Sequence, residues 1–173
     1  MQTHLLACHP QHPPLGVTQV EAKIIGRDAN WLRARWRVEG SQSLVVPPFA
    51  GKGRADELWQ TTCFEAFLRP LGGEPYSEWN FAPSGRWASY DFSGYREGMT
   101  PAEVDSPPYI RVEDNFTWWA LGATIAIPAD TNWELGLSAV LEEKDGTKSY
   151  WALAHPGEKP DFHDPGCFAA RLP

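Results

Sequence analysis

Tyr76-Ser-Glu-Trp-Asn-Phe-Ala-Pro-Ser-Gly-Arg-Trp-Ala-Ser-Tyr-Asp-Phe92 contains two aromatic-rich alternating runs, Tyr76 to Phe81 and Arg86 to Phe92, separated by Pro83-Ser-Gly85. Two such runs around a Pro/Gly turn read as an antiparallel hairpin. Successive side chains of a strand point to opposite faces, and directly opposed residues share a face. With Ala82 to Gly85 as the loop, Phe81 stands opposite Arg86. One mostly apolar face then collects Trp79, Ala88, Ser77, Tyr90, Phe81 and Phe92, with Arg86 opposite Phe81, and suits the core. The other carries Tyr76, Glu78, Asn80, Trp87, Ser89 and Asp91. A ring beside carboxylates, an amide and a hydroxyl suits sugars, whose C–H faces stack on aromatics while their hydroxyls take fixed polar partners.

Working outward, Leu32, Ala34, Trp36 and Val38 alternate with Trp31, Arg33, Arg35 and Arg37, the pattern of a strand with one buried and one wet face. Further strands are expected at Leu44 to Val46, Cys63 to Arg69, Tyr109 to Glu113, Phe116 to Ile127, Glu134 to Leu141 and Lys148 to Ala154. Asp145-Gly146 supplies a hairpin turn between the last two, and Phe168 to Leu172 can close a sheet. Alternation through Trp59-Gln-Thr-Thr-Cys-Phe-Glu65 puts Trp59 and Glu65 on one side, where they extend the polar patch, and Phe64, Ala66 and Leu68 on the other. The expected fold is therefore all-β, an antiparallel two-sheet β-sandwich of about nine to eleven strands. Leu32, Ala34, Trp36, Trp79, Phe81, Tyr90, Trp119, Leu121 and Leu137 are its expected inward-facing residues. Residues 1–16, with Pro10, Pro13 and Pro14, read as an irregular lead-in to a single domain over 17–173.

Composition agrees. The chain has 173 residues, enough for one domain to hide most of its apolar surface without disulfides, and nine Trp exclude a disordered chain. The 16 Pro and 15 Gly, spread throughout, disfavour long helices. Fifteen Lys and Arg against 22 Asp and Glu leave a formal charge of −7, which argues against nucleic acid as a partner. No run approaches the roughly 20 apolar residues of a membrane helix. Met1-Gln-Thr-His-Leu-Leu-Ala-Cys8 ends like a lipoprotein cleavage box but lacks the basic start and the apolar stretch of a signal, so a cytoplasmic location is expected.

Other chemistry is weaker. Cys8, His9 and His12 are metal-ligating types without a partner pair at zinc-like spacing. His155, His163, Asp164 and Cys167 form a second such group, read as a turn with His163 hydrogen-bonded to backbone. Ser84 lies outside a nucleophile elbow, and no phosphate loop or dinucleotide fingerprint occurs. Glu78 and Asp91 imitate a glycosidase pair, but nothing in the sequence indicates the raised pKa an acid catalyst needs, so a non-catalytic role is expected. Against a ligand face stands an ordinary solvated one, with Glu65, Glu78 and Asp91 paired to Arg33, Arg35 and Arg37 across neighbouring strands.

Glu57-Leu-Trp-Gln-Thr-Thr-Cys-Phe-Glu-Ala-Phe-Leu68 resembles the strand that opens DOMON-like domains related to family-nine carbohydrate-binding modules. Tyr76 to Phe92, Gly94-Tyr-Arg-Glu-Gly-Met99, Ser149-Tyr-Trp-Ala-Leu-Ala-His-Pro156 and Lys159-Pro-Asp-Phe-His163 resemble a bacterial branch of that group, over roughly residues 17 to 172. The resemblance implies a β-sandwich that binds a small molecule, a carbohydrate in some relatives and haem or another redox cofactor in others, without being an enzyme. It implies no resident cofactor on the sugar reading, and Met99 or one of the five His as axial ligand on the haem reading. A protein partner on the exposed aromatic face is the third alternative.

Overall fold

The computed structural model describes residues 1–28 and 30–172. Its strands are β1 (Gln2–Leu5), β2 (Ala7–Cys8), β3 (Gln19–Asp28), β4 (Trp31–Glu39), β5 (Gly53–Arg54), β6 (Cys63–Pro70) and β7 (Tyr76–Phe81). Then follow β8 (Arg86–Phe92), β9 (Thr100–Pro101), β10 (Tyr109–Asp114), β11 (Trp118–Ala126), β12 (Trp133–Glu142), β13 (Lys148–Ala152) and β14 (Ala170–Leu172). Among the described residues there are fourteen strands; β2, β5 and β9 have two residues each, and the other eleven match the expected range. The order β1-β3-β4-β11-β10 makes a five-stranded sheet. A nine-stranded sheet runs β2-β13-β12-β6-β7-β8-β5, with β14 beside β12 and β9 beside β8. All pairs are antiparallel except the short β5–β8 contact.

Alternation places the core between the sheets. Val20, Ala22 and Ile24 of β3, the even residues Leu32 to Val38 of β4, and Trp119, Leu121, Ala123 and Ile125 of β11 meet the other layer. That layer offers Phe64, Ala66 and Leu68 of β6, Trp79 and Phe81 of β7, and Leu135 to Leu141 at the odd positions of β12. Trp36 lies 6.0 Å from Phe64 between ring centroids, and Phe64 stacks on Trp119 at 5.6 Å. Each such side chain contributes roughly 1.5–3 kcal/mol on burial.

The β7–β8 hairpin has a different register from that read in the sequence. Gly85 N–H donates to the Ala82 carbonyl at 3.1 Å and Ala82 N–H to that of Arg86 at 2.9 Å, so the loop proper is Pro83-Ser84-Gly85. Gly85 takes φ +89°, the left-handed residue that completes such a three-residue turn. Phe81 therefore pairs with Trp87, not Arg86. A slip of one residue moves every side chain of β8 to the other face. Trp87 joins Trp79 and Phe81 on the core side, and Tyr90, expected inside the sandwich, goes to the outer face.

Three further expectations are corrected. The lead-in is not irregular: β1 pairs with β3 and β2 with β13, Leu6 is buried between them, and Glu143 holds the segment beyond. Glu143 Oε1 accepts from Gly16 N (2.6 Å), Val17 N (3.3 Å) and Ser43 Oγ (2.5 Å), and its Oε2 from Leu15 N (2.6 Å). The stretch around Leu44 is a 3₁₀ turn, Ser41–Ser43, with a single bridge from Leu44 to Glu143, because two prolines follow at once. Arg35 pairs with Glu113 (3.1 Å) and Arg37 with Glu39 (2.7 Å) on the outer side of the five-stranded sheet, a sandwich's thickness away from Glu65 and Glu78.

Candidate ligand-binding site

The outer face of the nine-stranded sheet is not an ordinary wet surface. Strand pairing sets its side chains in rows: Ser138–Glu65–Asn80–Ala88, Gly136–Phe67–Glu78–Tyr90 and Glu134–Arg69, with Tyr76–Phe92 beyond. A second apolar cluster, with Phe67, Tyr90, Phe92, Phe162 and Phe168, surrounds the polar ones. The 3₁₀ turn Leu58–Gln60 lies next to β6, β7 and β8, with Leu58 packed on that cluster and Trp59 52% exposed.

Four of the seven residues expected to form the site are thus brought together: Glu65, Tyr76, Glu78 and Asn80. Trp59 lies on the turn next to β6, β7 and β8, and that turn breaks the alternation expected to place it in register with Glu65. Trp87 is excluded, buried in the core at 6.0 Å from Trp79. Asp91 is exposed and, paired with Ser77, belongs to the opposite set of side chains.

His163 completes the polar group. Its Nδ1 lies 2.8 Å from Tyr76 Oη, which already accepts the Arg96 N–H at 3.3 Å. The phenol is therefore free to donate, Nδ1 accepts, and the neutral ring carries its proton on Nε2, which faces Glu78 Oε2 at 3.5 Å. The expected backbone bond of this imidazole is thus replaced by two side-chain partners. Phe67 and Phe92 flank the ring at 5.0 Å each. Asp161 receives Arg96 Nη2 (2.7 Å), the His163 N–H (3.1 Å) and the Tyr95 hydroxyl, which ties the turn to the Tyr95-Arg96 segment. Tyr90 Oη donates to Asp56 at 2.5 Å.

Electrostatics follow from burial. Glu65 is pushed well above the usual carboxylate range by burial and by the charge of Glu78, with Arg96 opposing. Burial also raises Glu78, against the Asn80 amide and Arg96. Burial, then Arg96, lowers His163 to about 4, with Asp161 opposing. The Asn80 Oδ1 and Ser138 Oγ atoms are buried without a hydrogen-bond partner, one on each side of Glu65 in the same row. Ser138, Tyr90, Tyr95, Arg96, Asp161 and His163 escaped the sequence reading as site residues. The Tyr95-Arg96 and Lys159-to-His163 stretches stood out as motifs, but nothing in their spacing joins them to β7.

The two soft-ligand groups are partly mixed: His155 packs edge to face on His9 at 5.0 Å, and His9 lies 5.9 Å from His12, whereas His163 sits apart beside Tyr76. His9 engages Gly157 O through Nε2 (3.4 Å) and accepts the Gln11 N–H on Nδ1 (3.3 Å), and His155 Nε2 donates to Ala7 O at 2.8 Å. Among the described residues no three His, Cys, Asp or Glu are set to share a metal ion. Met99 is exposed.

The fold is similar to that of solved proteins from two bacteria. One likeness is to a solved protein of Bacteroides uniformis described as a candidate carbohydrate-binding protein, at TM-score 0.72 and 15% identity over 96% of this chain and 83% of that one. Another is to a family-nine carbohydrate-binding module of Caldicellulosiruptor kristjanssonii. Its cellotriose complex gives TM-score 0.55 at 11% identity, covering 88% and 72% of the two chains. Its glucose complex gives 0.50 at 12% identity over 86% and 73%. No family model matches the sequence, and no curated protein matches it. At such identities the likeness establishes the fold.

Proposed function

We propose that this is a non-catalytic carbohydrate-binding domain of the DOMON-like kind, whose ligand docks on the outer face of the nine-stranded sheet between the Trp59 turn and the Tyr95-Arg96 segment. The observation that carries the reading is the row Ser138–Glu65–Asn80. Two buried polar atoms without partners flank a carboxyl there, and the exposed Trp59 lies on the turn next to these strands. Unpaired buried acceptors cost about 1–3 kcal/mol each, a cost that ligand hydroxyls relieve. Trp59 supplies the stacking surface, and His163, held by Tyr76 with its Nε2–H toward Glu78, fixes the orientation of that carboxyl. The solved neighbours lend support, because one is complexed with glucose and with cellotriose.

Calorimetric titration with glucose, cellotriose and a wider glycan panel tests this. Covering one indole face removes apolar area worth about 1–2 kcal/mol, so Trp59→Ala should weaken binding roughly tenfold. Its melting temperature should not move. Wild-type protein that binds no glycan at millimolar concentration, or Trp59→Ala that binds as wild type does, refutes the proposal.

A further inference from the structure

At the end of the sandwich where the β7–β8 turn approaches β10, the chain forms a cleft of about 310 Å³, away from the polar rows of the outer face. The loop before β5 builds one wall. Ala50 N–H donates to the Ser84 carbonyl (2.8 Å), and Arg86 Nη2 donates to the Ala50 carbonyl (2.7 Å), which sets Phe49 against the β7–β8 turn. A side chain at Gly85 would come within 2.9 Å of the Phe49 ring, so that glycine serves the packing as well as the turn. Trp87 lines the cleft, and its ring lies 5.0 Å from the Arg54 guanidinium. Prolines 83, 107 and 108 stiffen the walls.

Three features point to a ligand. The volume is in the range of small-molecule sites. Phe49 and Tyr109, which both line the cleft, leave 72% and 61% of their surface in water, whereas burial would cover such rings wherever the fold allowed. Among the described residues the only charged side chain lining the cleft is Lys52, whose Nζ lies 6.0 Å from the Tyr109 ring, and no carboxylate lines it, in a chain of net charge −7. Few polar groups line it, so sugar hydroxyls would find little to bond.

We infer that the cleft is a second binding site, for a flat aromatic acid whose ring packs among Phe49, Tyr109 and Trp87 and whose carboxylate meets Lys52. The site is independent of the carbohydrate face.

The test is calorimetric titration of the full chain with 1-naphthoate and with its neutral counterpart 1-naphthalenemethanol. Naphthoate should bind about fivefold tighter, as expected for one partly solvated ion pair, and Lys52→Met should bring the two to parity. Phe49→Ala and Tyr109→Ala should each weaken both ligands roughly fivefold. Phe116→Ala, an exposed ring elsewhere, should change neither. All three rings are exposed, so melting temperatures should hold. No binding by wild type, equal affinity for acid and alcohol, or affinities indifferent to Phe49→Ala and Tyr109→Ala overturns the inference.

Discussion

Replacing Glu143 by Gln should destabilise the protein by about 3 to 5 kcal/mol, a large part of the 5–15 kcal/mol typical of a domain. The carboxylate is fully buried and accepts four hydrogen bonds, three of them from consecutive backbone N–H groups of Leu15, Gly16 and Val17. Hydrogen bonds to a charged acceptor contribute about 1.5–3 kcal/mol each against about 1 for neutral ones, so loss of charge alone weakens the set by a few kcal/mol. An amide also has one oxygen where two are needed. Its NH₂ must face either Leu15 N–H or the Gly16 and Val17 pair, leaving a buried donor unmatched at about 1–3 kcal/mol. Burial pushes the Glu143 pKa up, but Ser43 and the three N–H groups outweigh it and leave it below the ordinary value. A carboxyl lowered in the folded state contributes stability above its unfolded pKa and loses it as pH falls through the folded one. Urea unfolding followed by Trp fluorescence should thus show a large gap between wild type and Glu143→Gln at pH 7 that narrows once the wild-type carboxyl protonates. A gap under about 0.5 kcal/mol at pH 7, or one unchanged into strong acid, would refute the reasoning.

Glu65→Gln should act in the opposite sense. A carboxyl raised in the folded state weakens the fold as pH climbs above the unfolded value, so the variant should melt no lower than wild type at pH 7 in a thermal scan. His163 reaches only about 4 in the fold, so stability should decline as pH drops from the unfolded His value near 6.5 toward 4; His163→Phe should flatten that slope in pH-dependent denaturation. Trp87→Ala should cost about 3–5 kcal/mol of unfolding free energy, as truncation of a core ring does, and leave glycan affinity unchanged. Burial raises all three thiols, Cys167 to about 12, so an aromatic disulfide reagent should label the native protein slowly and the urea-unfolded protein fast.

The sandwich was legible because period two survives in β4, β6, β7, β11 and β12, and because Asp145-Gly146 and Pro83-Ser-Gly85 mark turns without ambiguity. The ten residues of β3 went unread, although Val20, Ala22 and Ile24 alternate, since the pairing shifts between Ile24 and Gly26 and blurs the pattern. The site was half legible. Tyr76, Glu78 and Asn80 share a face whatever the turn length, because they lie on one strand. Trp87 and Asp91 depended on the count across the turn, which a left-handed glycine changes by one. His163 and Arg96 reach the site from loops, where no periodicity reports position.

The pairing of β2 with β13 bears on the order in which the chain can finish folding. Cys8 faces Trp151, 143 positions later, and Gln2 Nε2 bonds to the Arg171 carbonyl, 169 positions away. At a synthesis rate of about 5–20 residues per second, β2 emerges roughly 7 to 29 s before its partner β13 exists. During that interval Leu6 and the β3 edge have nothing of the other sheet to cover them. Over that interval the nascent chain is open along this edge to holdase binding or to self-association.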